Sequence, residues 1–305
     1  MAQTLKAGVI GAGVFGGHHS RQYAALDGVE LVGVYDTHQD RAQALAEGLG
    51  ARAFADAGAL IAEVDLLTVA SPAATHVDLA VKALDAGAHV YVEKPLAVSL
   101  ADAERLVALA EARGRVLACG HQERVVSEAM GLLGAGERPL LLEAVRRQPG
   151  PSRITDVSCV LDLMIHDIDL ALALNPSETT SVAASGRRAD GPLLEEARAE
   201  IVLADGARLT FEASRVAEAR ERRMRIVFPS GEVEIDFITR AFRNTTPFAL
   251  DPGFTETPAG ANPLRASVAA FVAAARGEAG RPAVTGREAV HALKLALAVE
   301  AGAGA

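Results

Sequence analysis

The first 120 residues alternate short apolar runs with helical patterns, and this alternation constrains the fold more than any other feature of the chain. The apolar runs begin with "LKAGVIG" and "VELVGVYD" and recur as "VDLLTVASP", "HVYVEKP" and "RVLACG". Between them lie helical stretches such as "SLADAERLVALAEARG", where Ser99 is placed to cap the helix. Apolar strands that alternate with helices form parallel sheets covered on both faces. We therefore predict a doubly wound α/β domain for residues 1–120.

After about residue 120 the alternation gives way to consecutive strands. A helix near "RVVSEAMGLLGAG" leads to the strand "LLLEAVRRQ", and residues 180–237 then run through several strand patterns in succession. Within that segment "ADGA" and "PSGE" have the composition of hairpin turns. Strands joined by hairpins pair antiparallel. We therefore predict that residues 121–305 form an α+β domain built on a mainly antiparallel sheet.

Composition and charge exclude several classes of partner. The net charge of −9 argues against nucleic acid, because phosphate backbones are bound by clustered Lys and Arg. Cys119 and Cys159 belong to no CxxC or Cys/His cluster, so we expect no disulfide framework and assign no metal ligand. No apolar run approaches the roughly 20 residues that span a bilayer, and no leader pattern precedes the first strand. We expect a cytoplasmic protein with no membrane partner.

A glycine-rich turn joins the first strand to the first helix. The stretch "GAGVFG" matches GxGxxG, which is common by itself and informative here because it opens a βαβ unit. Small residues let the backbone approach a pyrophosphate, which then lies at the positive N-terminus of the helix. His18 and His19 follow on the helix surface or near the pyrophosphate, and we assign them no chemistry. The predicted dinucleotide contacts in this loop are Gly11, Gly13, Val14, Phe15 and Gly16.

An acidic residue ends the second strand. Asp36 lies 20 residues beyond Gly16, where a carboxylate accepts a hydrogen bond from a ribose 2′-hydroxyl. The same carboxylate repels a 2′-phosphate, so we expect NAD in preference to NADP, although nearby Arg41 leaves NADP open. The structural alternative is a tight turn followed by an aspartate that caps a helix.

A lysine stands at the end of a later strand. "YVEKPL" places Glu93 and Lys94 at the carboxyl end of a parallel strand, which is the edge where open α/β sheets bind ligands. The alternative is a solvated lysine beside a glutamate.

The stretch "LDLMIHDIDL" carries four polar residues in an otherwise apolar helix. At roughly 100° per residue, Asp162, His166 and Asp169 share one stripe, whereas Asp167 points elsewhere and is expected to face water or cap a neighbour. Burying unpaired carboxylates is costly, so the stripe requires partners. For Asp169 we favour a structural role.

The motifs named above, together with three further stretches, resemble the Gfo/Idh/MocA oxidoreductase family over nearly the full length of the chain. The matching pieces are the glycine loop, "ASPAATH", "EKP", "GHQER", "DLMIHDID" and the tail "NPLRASVAAFVAAARG". The resemblance implies an N-terminal Rossmann domain that binds NAD, at residues 1–120. It also implies a C-terminal domain with a large, open sheet, at residues 121–305, which binds substrate and mediates assembly. A homodimer or homotetramer is therefore expected.

The resemblance also implies catalytic residues. In this family the EKP lysine and a D-x-x-x-H pair act beside the nicotinamide during hydride transfer to or from a sugar or cyclitol carbon. Carried over, His166 would take the proton from a substrate hydroxyl, and Lys94 would stabilise the charge that develops on the oxygen. Asp162 would orient either the imidazole or the hydroxyl. The further contacts implied are Ser71, His76, Glu93, Lys94 and Gln122 for the cofactor and Lys94, Arg124, Asp162 and His166 for the substrate.

Within the family, "GHQER", "TDVSCVLDLMIHDIDL" and "NPLRASVAAF" are most similar to the branch that oxidises the 3-hydroxyl of UDP-N-acetylglucosamine for lipid A or other envelope glycans. The diphosphate of such a substrate needs cations, and Arg124, Arg146, Arg147 and Arg153 cluster in the sequence near the start of the second domain. A solvated basic edge is the alternative. A free aldose or an inositol is the second substrate class.

Two other functions stay open. A non-catalytic NAD sensor or scaffold would keep the glycine loop and Asp36 but would not need Lys94, Asp162 and His166 together. Redox-assisted glycoside cleavage, in which NAD oxidises a ring carbon only transiently, is the rival within the same superfamily. Stoichiometric reduction of added NAD distinguishes a dehydrogenase from both.

Overall fold

The computed structural model describes residues 4–150, 155–189 and 191–304, which divide into two compact units. The first unit takes in the described part of Met1–Gln122 together with Asn262–Val290. The second unit takes in the described part of Glu123–Ala261 together with His291–Ala305. The sequence predicts one boundary near residue 120, and the structure differs from it in assigning Asn262–Val290 to the first unit.

The first unit contains a six-stranded, fully parallel sheet in the order β3-β2-β1-β4-β5-β6. This order is that of a doubly wound sheet, so the predicted fold of the N-terminal part is confirmed. The strands are β1 (Leu5–Ile10), β2 (Val29–Tyr35), β3 (Arg52–Phe54), β4 (Leu66–Val69), β5 (His89–Val92) and β6 (Leu117–Cys119). The helices are α1 (Val14–Ala24), α2 (Gln39–Glu47), α3 (Ala57–Ile61), α4 (His76–Asp85) and α5 (Leu100–Ala112).

Helix α9 (Pro263–Ala275) belongs to the first unit because its apolar face completes the core of the parallel sheet. Val268 and Phe271 are fully buried in the same cluster as Val9 of β1 and Tyr91 of β5. The hydroxyl of Tyr91 also lies 2.9 Å from Oγ of Ser267. An amphipathic pattern shows that a helix covers a sheet, but it does not show which sheet.

The second unit contains a seven-stranded sheet in the order β13-β12-β11-β7-β10-β9-β8. Every pairing is antiparallel except that of β7 with β10. The expected mainly antiparallel sheet is therefore confirmed, together with hairpins at "ADGA" and "PSGE". The strands are β7 (Leu141–Arg147), β8 (Thr179–Arg188), β9 (Leu194–Leu203), β10 (Arg208–Ser214), β11 (Glu221–Phe228), β12 (Gly231–Asp236) and β13 (Ala241–Asn244).

The helices of the second unit include α6 (Gln122–Ala129), which starts at the unit boundary, α7 (Ile165–Leu174) and α8 (Pro258–Ala261). A π-helical turn, Val160–Met164, leads directly into α7. The last helix, α10 (Gly286–Ala303), contributes its part from His291 onward to this unit. The described residues contain no helix that is long and apolar enough to cross a membrane.

Candidate active site

The glycine loop after β1 is shaped by close backbone packing on one side and open space on the other. Gly11 has φ +100°, and a Cβ there would lie 2.6 Å from the carbonyl oxygen of Ala70. A Cβ on Gly16 would lie 1.6 Å from the carbonyl oxygen of Gly11, so only glycine lets α1 start this close to the strand. At Gly13, in contrast, a Cβ would meet nothing within 4 Å.

The open side at Gly13 fits a bound dinucleotide. Gly13 is the N-cap of α1 and has no side chain with which to cap it, so the first amides of the helix remain available to an anion. Val14 and Phe15 follow with 55% and 46% of their surface exposed, which suits residues that a ligand covers. The loop therefore has the free donors and the steric room that a pyrophosphate requires.

Asp36 follows β2 and supports the glycine loop directly. Its Oδ2 accepts a hydrogen bond from the amide of Ala12 at 2.6 Å, and its Oδ1 accepts one from the amide of His38 at 2.8 Å. Partial burial by itself would raise the pKa of Asp36, but these hydrogen bonds and the neighbouring imidazole of His38 lower it. Asp36 is thus held as a carboxylate at the edge where a ribose would lie.

The loops after β4 and β5 meet at the same edge of the sheet. Both ring nitrogens of His76, the first residue of α4, lie 2.8 Å from backbone carbonyl oxygens, those of Pro95 and Ser71. The Ser71 hydroxyl lies 2.7 Å from that of Thr75. His76 therefore ties the Ser71 loop to the segment that carries Lys94, whose side chain is half-buried and which precedes a cis peptide bond.

Glu93 lies beneath this edge in a buried pair with His19. Their Oε1 and Nε2 atoms are 2.7 Å apart, and His19 is completely buried with its ring edge-on to Tyr91. The expectation that His19 lies on the helix surface is therefore wrong. A Cβ on Gly120 would be 2.7 Å from Oε2 of Glu93, so glycine there gives the carboxylate its space.

In the second unit, each carboxylate of "LDLMIHDIDL" faces an arginine. Asp169 accepts hydrogen bonds from Nε and one terminal nitrogen of Arg124 at 3.0 and 2.6 Å, and both side chains are buried. Asp162, in the π-helical turn, lies 4.0 Å from the fully buried Arg215. The structural role expected for Asp169 is confirmed, and the buried carboxylates obtain the partners that their burial requires.

Asp167 does not face water. It is 3% exposed and binds Nε and one terminal nitrogen of Arg146 at 3.0 and 2.8 Å. The expectation of an exposed or capping Asp167 is therefore wrong, because α7 packs this side of the helix against the sheet that carries Arg146. The π-helical turn before α7 departs from ideal helical spacing, and such turns are frequent at functional sites.

His166 contacts a carboxylate that the sequence analysis did not single out. Its Nδ1 lies 2.8 Å from Oε2 of Glu123, and Oε1 of Glu123 accepts a hydrogen bond from Arg146 at 2.7 Å. Burial by itself would raise the pKa of Glu123, but the charges of His166 and Arg146 hold it well below its usual range. Glu123 lies inside the motif "GHQER", which carries part of the family resemblance, and that position was the available signal in the sequence.

The arginines expected to contact a diphosphate have other partners. Arg146 is fully buried between Asp167 and Glu123 and so serves as an ion-pairing residue of the unit interior. Arg147 points to the opposite face of β7, where it binds Glu212 and Glu221. Arg153 lies outside the described residues.

Arg222 is a further candidate. It pairs directly with Arg146 across β7 and β11 and is half-buried on the same face of the sheet. Within the described ranges it has no carboxylate partner, although desolvation and the charge of Arg146 lower its pKa. Like charges directly opposite on a sheet are unfavourable, so an anion beside Arg222 would stabilise the pair.

Gln122 begins α6, and its side-chain Nε2 is buried without a hydrogen-bond partner in the described part of the chain. Such an unsatisfied donor fits the cofactor contact predicted for it, since buried polar groups are normally hydrogen-bonded.

No group of His, Cys, Asp or Glu among the described residues has the arrangement of a metal site.

The parallel sheet, its glycine loop and Asp36 define a class, that of proteins with an NAD-binding Rossmann domain. Comparison with known proteins makes the assignment specific. The model of the oxidoreductase family with an NAD-binding Rossmann fold, Gfo/Idh/MocA, matches residues 5–121, and that of the Gfo/Idh/MocA C-terminal domain matches residues 138–234. The chain belongs to the Gfo/Idh/MocA family. It is accordingly an NAD-dependent dehydrogenase, as the resemblance in the sequence implies.

Individual relatives support the same family. UDP-N-acetylglucosamine 3-dehydrogenase of Acidithiobacillus ferrooxidans is 38% identical over 235 residues, which is 77% of this chain and 74% of that protein. A solved structure of the same enzyme has a TM-score of 0.90 at 33% identity, covering 100% of this chain and 99% of the other. Inositol 2-dehydrogenase 3 of Saccharopolyspora erythraea is 35% identical over 188 residues, which is 58% of this chain and 56% of that protein.

Proposed function

We propose that this chain oxidises a CH–OH carbon of a nucleotide sugar, namely C3 of UDP-N-acetylglucosamine or a close analogue. The observation that carries the proposal is the similarity to UDP-N-acetylglucosamine 3-dehydrogenase, which extends over 100% of this chain in structure. A 3-keto sugar is the carbonyl compound that an amination step consumes. The product therefore fits the supply of an amino sugar for lipid A or another envelope glycan.

The proposed chemistry uses the three catalytic residues predicted from the sequence. Bound NAD supplies the acceptor for the hydride that leaves the substrate carbon. His166 takes the hydroxyl proton on its Nε2 as the C=O bond forms, since imidazole exchanges protons readily near neutral pH. Lys94 hydrogen-bonds the substrate oxygen and stabilises its developing negative charge. Asp162 orients the substrate hydroxyl.

Cofactor contacts are proposed at the residues predicted for them. The amides at Gly13, Val14 and Phe15 receive the pyrophosphate, and Asp36 receives the ribose hydroxyl. Ser71, His76, Glu93 and Gln122 complete the nicotinamide side. Arg124 stays a predicted substrate contact, although Asp169 already binds two of its nitrogens.

Arg222 supports an anionic substrate. We propose that it contacts the diphosphate, because it is half-buried and, within the described ranges, has no carboxylate partner. Arg223 is its matched control, since the next residue of β11 points to the opposite face and its side chain is 69% exposed. A free aldose or an inositol has no charge for Arg222 to bind.

The test is NAD reduction with UDP-N-acetylglucosamine, glucose, xylose and myo-inositol. We expect stoichiometric NADH only with the nucleotide sugar, and a KM about 10-fold or more higher in Arg222→Gln but not in Arg223→Gln. Turnover of a free sugar or of inositol without turnover of the nucleotide sugar would overturn the substrate. NADH below stoichiometry would indicate redox-assisted cleavage, and binding of NAD with no turnover of any compound would favour a sensor.

An inositol is the second candidate substrate, because the chain is also 35% identical to an inositol 2-dehydrogenase.

We further propose a homodimer or homotetramer in the cytoplasm. The support for an oligomer is the family resemblance, which implies that the large, open sheet mediates assembly. Light scattering of the purified protein and cell fractionation test these two proposals.

A further inference from the structure

Glu123 is a largely buried carboxylate that lies between an imidazole and a guanidinium. Its side chain is 12% exposed, its Oε2 lies 2.8 Å from Nδ1 of His166, and its Oε1 accepts from Arg146 at 2.7 Å. We propose that Glu123 is the positioning residue that fixes the orientation and tautomer of His166. The inference rests on the proposed role of His166 as the base and adds a residue to that site.

The tautomer follows from the partner of Nδ1. A carboxylate only accepts hydrogen bonds, so the ring nitrogen that faces it must carry a proton. In a neutral imidazole the other nitrogen, Nε2, is then the acceptor. Nε2 is the atom that must be unprotonated in order to take a proton from a substrate hydroxyl. Glu123 therefore holds His166 in the form in which it acts as a base.

The contact between Nδ1 of His166 and Oε2 of Glu123 has the length of a hydrogen bond. This hydrogen bond also contributes to the lowered pKa of Glu123. Catalytic hydrogen bonds often tighten and align further when substrate is bound. The short distance is thus the relevant observation.

The groups around Glu123 keep it in place and ionised. Arg146 of β7 binds one of its oxygens, and Asp167 of α7 fixes Arg146 through two further hydrogen bonds. Arg222 of β11 adds a positive charge from the neighbouring strand, and its effect on Glu123 has the same sign as that of Arg146. All of these groups belong to the second unit, so the arrangement is internal to it.

The experiment compares Glu123→Gln with Glu123→Asp and with Glu143→Gln, a matched change on the exposed Arg225 pair. In Glu123→Gln the amide oxygen should face Arg146, which turns the NH₂ group towards Nδ1 and forces that nitrogen to accept. The ring proton then moves to Nε2, and kcat should fall about 100-fold or more with little change in KM. Glu123→Asp should recover part of the loss, and Glu143→Gln should match the wild type.

A spectroscopic measurement separates this inference from the proposed function. In ¹⁵N-histidine-labelled protein, the signals of His166, assigned with His166→Ala, should show Nδ1–H in the wild type and Nε2–H in Glu123→Gln. An unchanged tautomer together with a kcat within twofold of wild type would overturn the positioning role. Near-normal turnover in His166→Ala would instead overturn the proposed base, while the tautomer comparison would still report on Glu123.

Discussion

Asp36 illustrates how one side chain serves the fold and the ligand together. It accepts hydrogen bonds from the amides of Ala12 and His38, so it orders the glycine loop even before a ribose reaches it. Glu123 combines roles in the same way, because it neutralises Arg146 and contacts His166. A substitution at either position therefore changes both the local structure and the chemistry.

For Asp36→Ala we expect NAD affinity to fall about 10- to 100-fold, as for the loss of a hydrogen bond to a charged group. Loss of loop support weakens the binding of NAD and NADP alike, whereas loss of the repulsive charge favours the binding of NADP alone. The preference for NAD over NADP, expressed as the ratio of the two affinities, should therefore decrease. Calorimetric titration of both cofactors measures this ratio. Asp40→Ala, at an exposed position of α2, is the control, and an unchanged ratio in Asp36→Ala would contradict the assignment.

At the scale of the element, α7 is held by ion pairs rather than by apolar packing alone. Asp167 and Asp169 lie on different sides of the helix and bind Arg146 of β7 and Arg124 of α6. Removing one partner of a buried ion pair leaves the other charge uncompensated. The resulting loss of stability is larger than the stability that the intact pair contributes relative to apolar residues in its place. Helix α7 should therefore tolerate the loss of a single partner poorly.

We expect Asp167→Asn to lower the free energy of unfolding by about 3 kcal/mol, because Arg146 then loses a buried counter-charge. The exposed pair of Glu143 with Arg225 should contribute less than about 1 kcal/mol, so Glu143→Gln is the matched comparison. Denaturant unfolding followed by circular dichroism measures both. Equal decreases in the free energy of unfolding of the two variants would show that breaking the buried Asp167 pair destabilises the protein no more than breaking the exposed pair.

On the scale of the whole molecule, the carboxylates with shifted pKa values predict how stability depends on pH. The pKa of Glu123 and Asp36 is lowered in the folded chain, as is that of the more exposed Asp205 and Asp236. A lowered folded pKa contributes stability above the unfolded value of about 4, and this contribution is lost as pH falls through the folded value. Glu300, whose pKa burial raises, acts in the opposite sense.

We therefore expect the free energy of unfolding to decrease as pH falls below about 4, with Glu123 as the main buried contributor. The exposed carboxylates add little, because solvent screens them. Unfolding measured from pH 3 to 7 should show a shallower decrease in Glu123→Gln than in the wild type. Parallel curves would mean that Glu123 has the same proton affinity in the folded and unfolded chain.

Several features of this protein were determined by the sequence alone. The period of the apolar residues and the glycine turn predicted the parallel sheet, the later hairpins and the NAD loop, because these depend on local patterning. The motifs predicted Lys94 and His166 by resemblance. The three-residue strand β3 and the parallel pairing of β7 with β10 had no comparable local signal.

The partners of buried charges were decided only by the tertiary structure. Glu123 is 43 residues from His166 and 23 from Arg146, so no local period connects them. The same is true of His19 and Glu93, which are 74 residues apart, and of α9, which adds its apolar face to the first sheet from the far end of the chain. Side-chain polarity shows that a buried charge needs a partner. Which partner it finds depends on how distant segments pack.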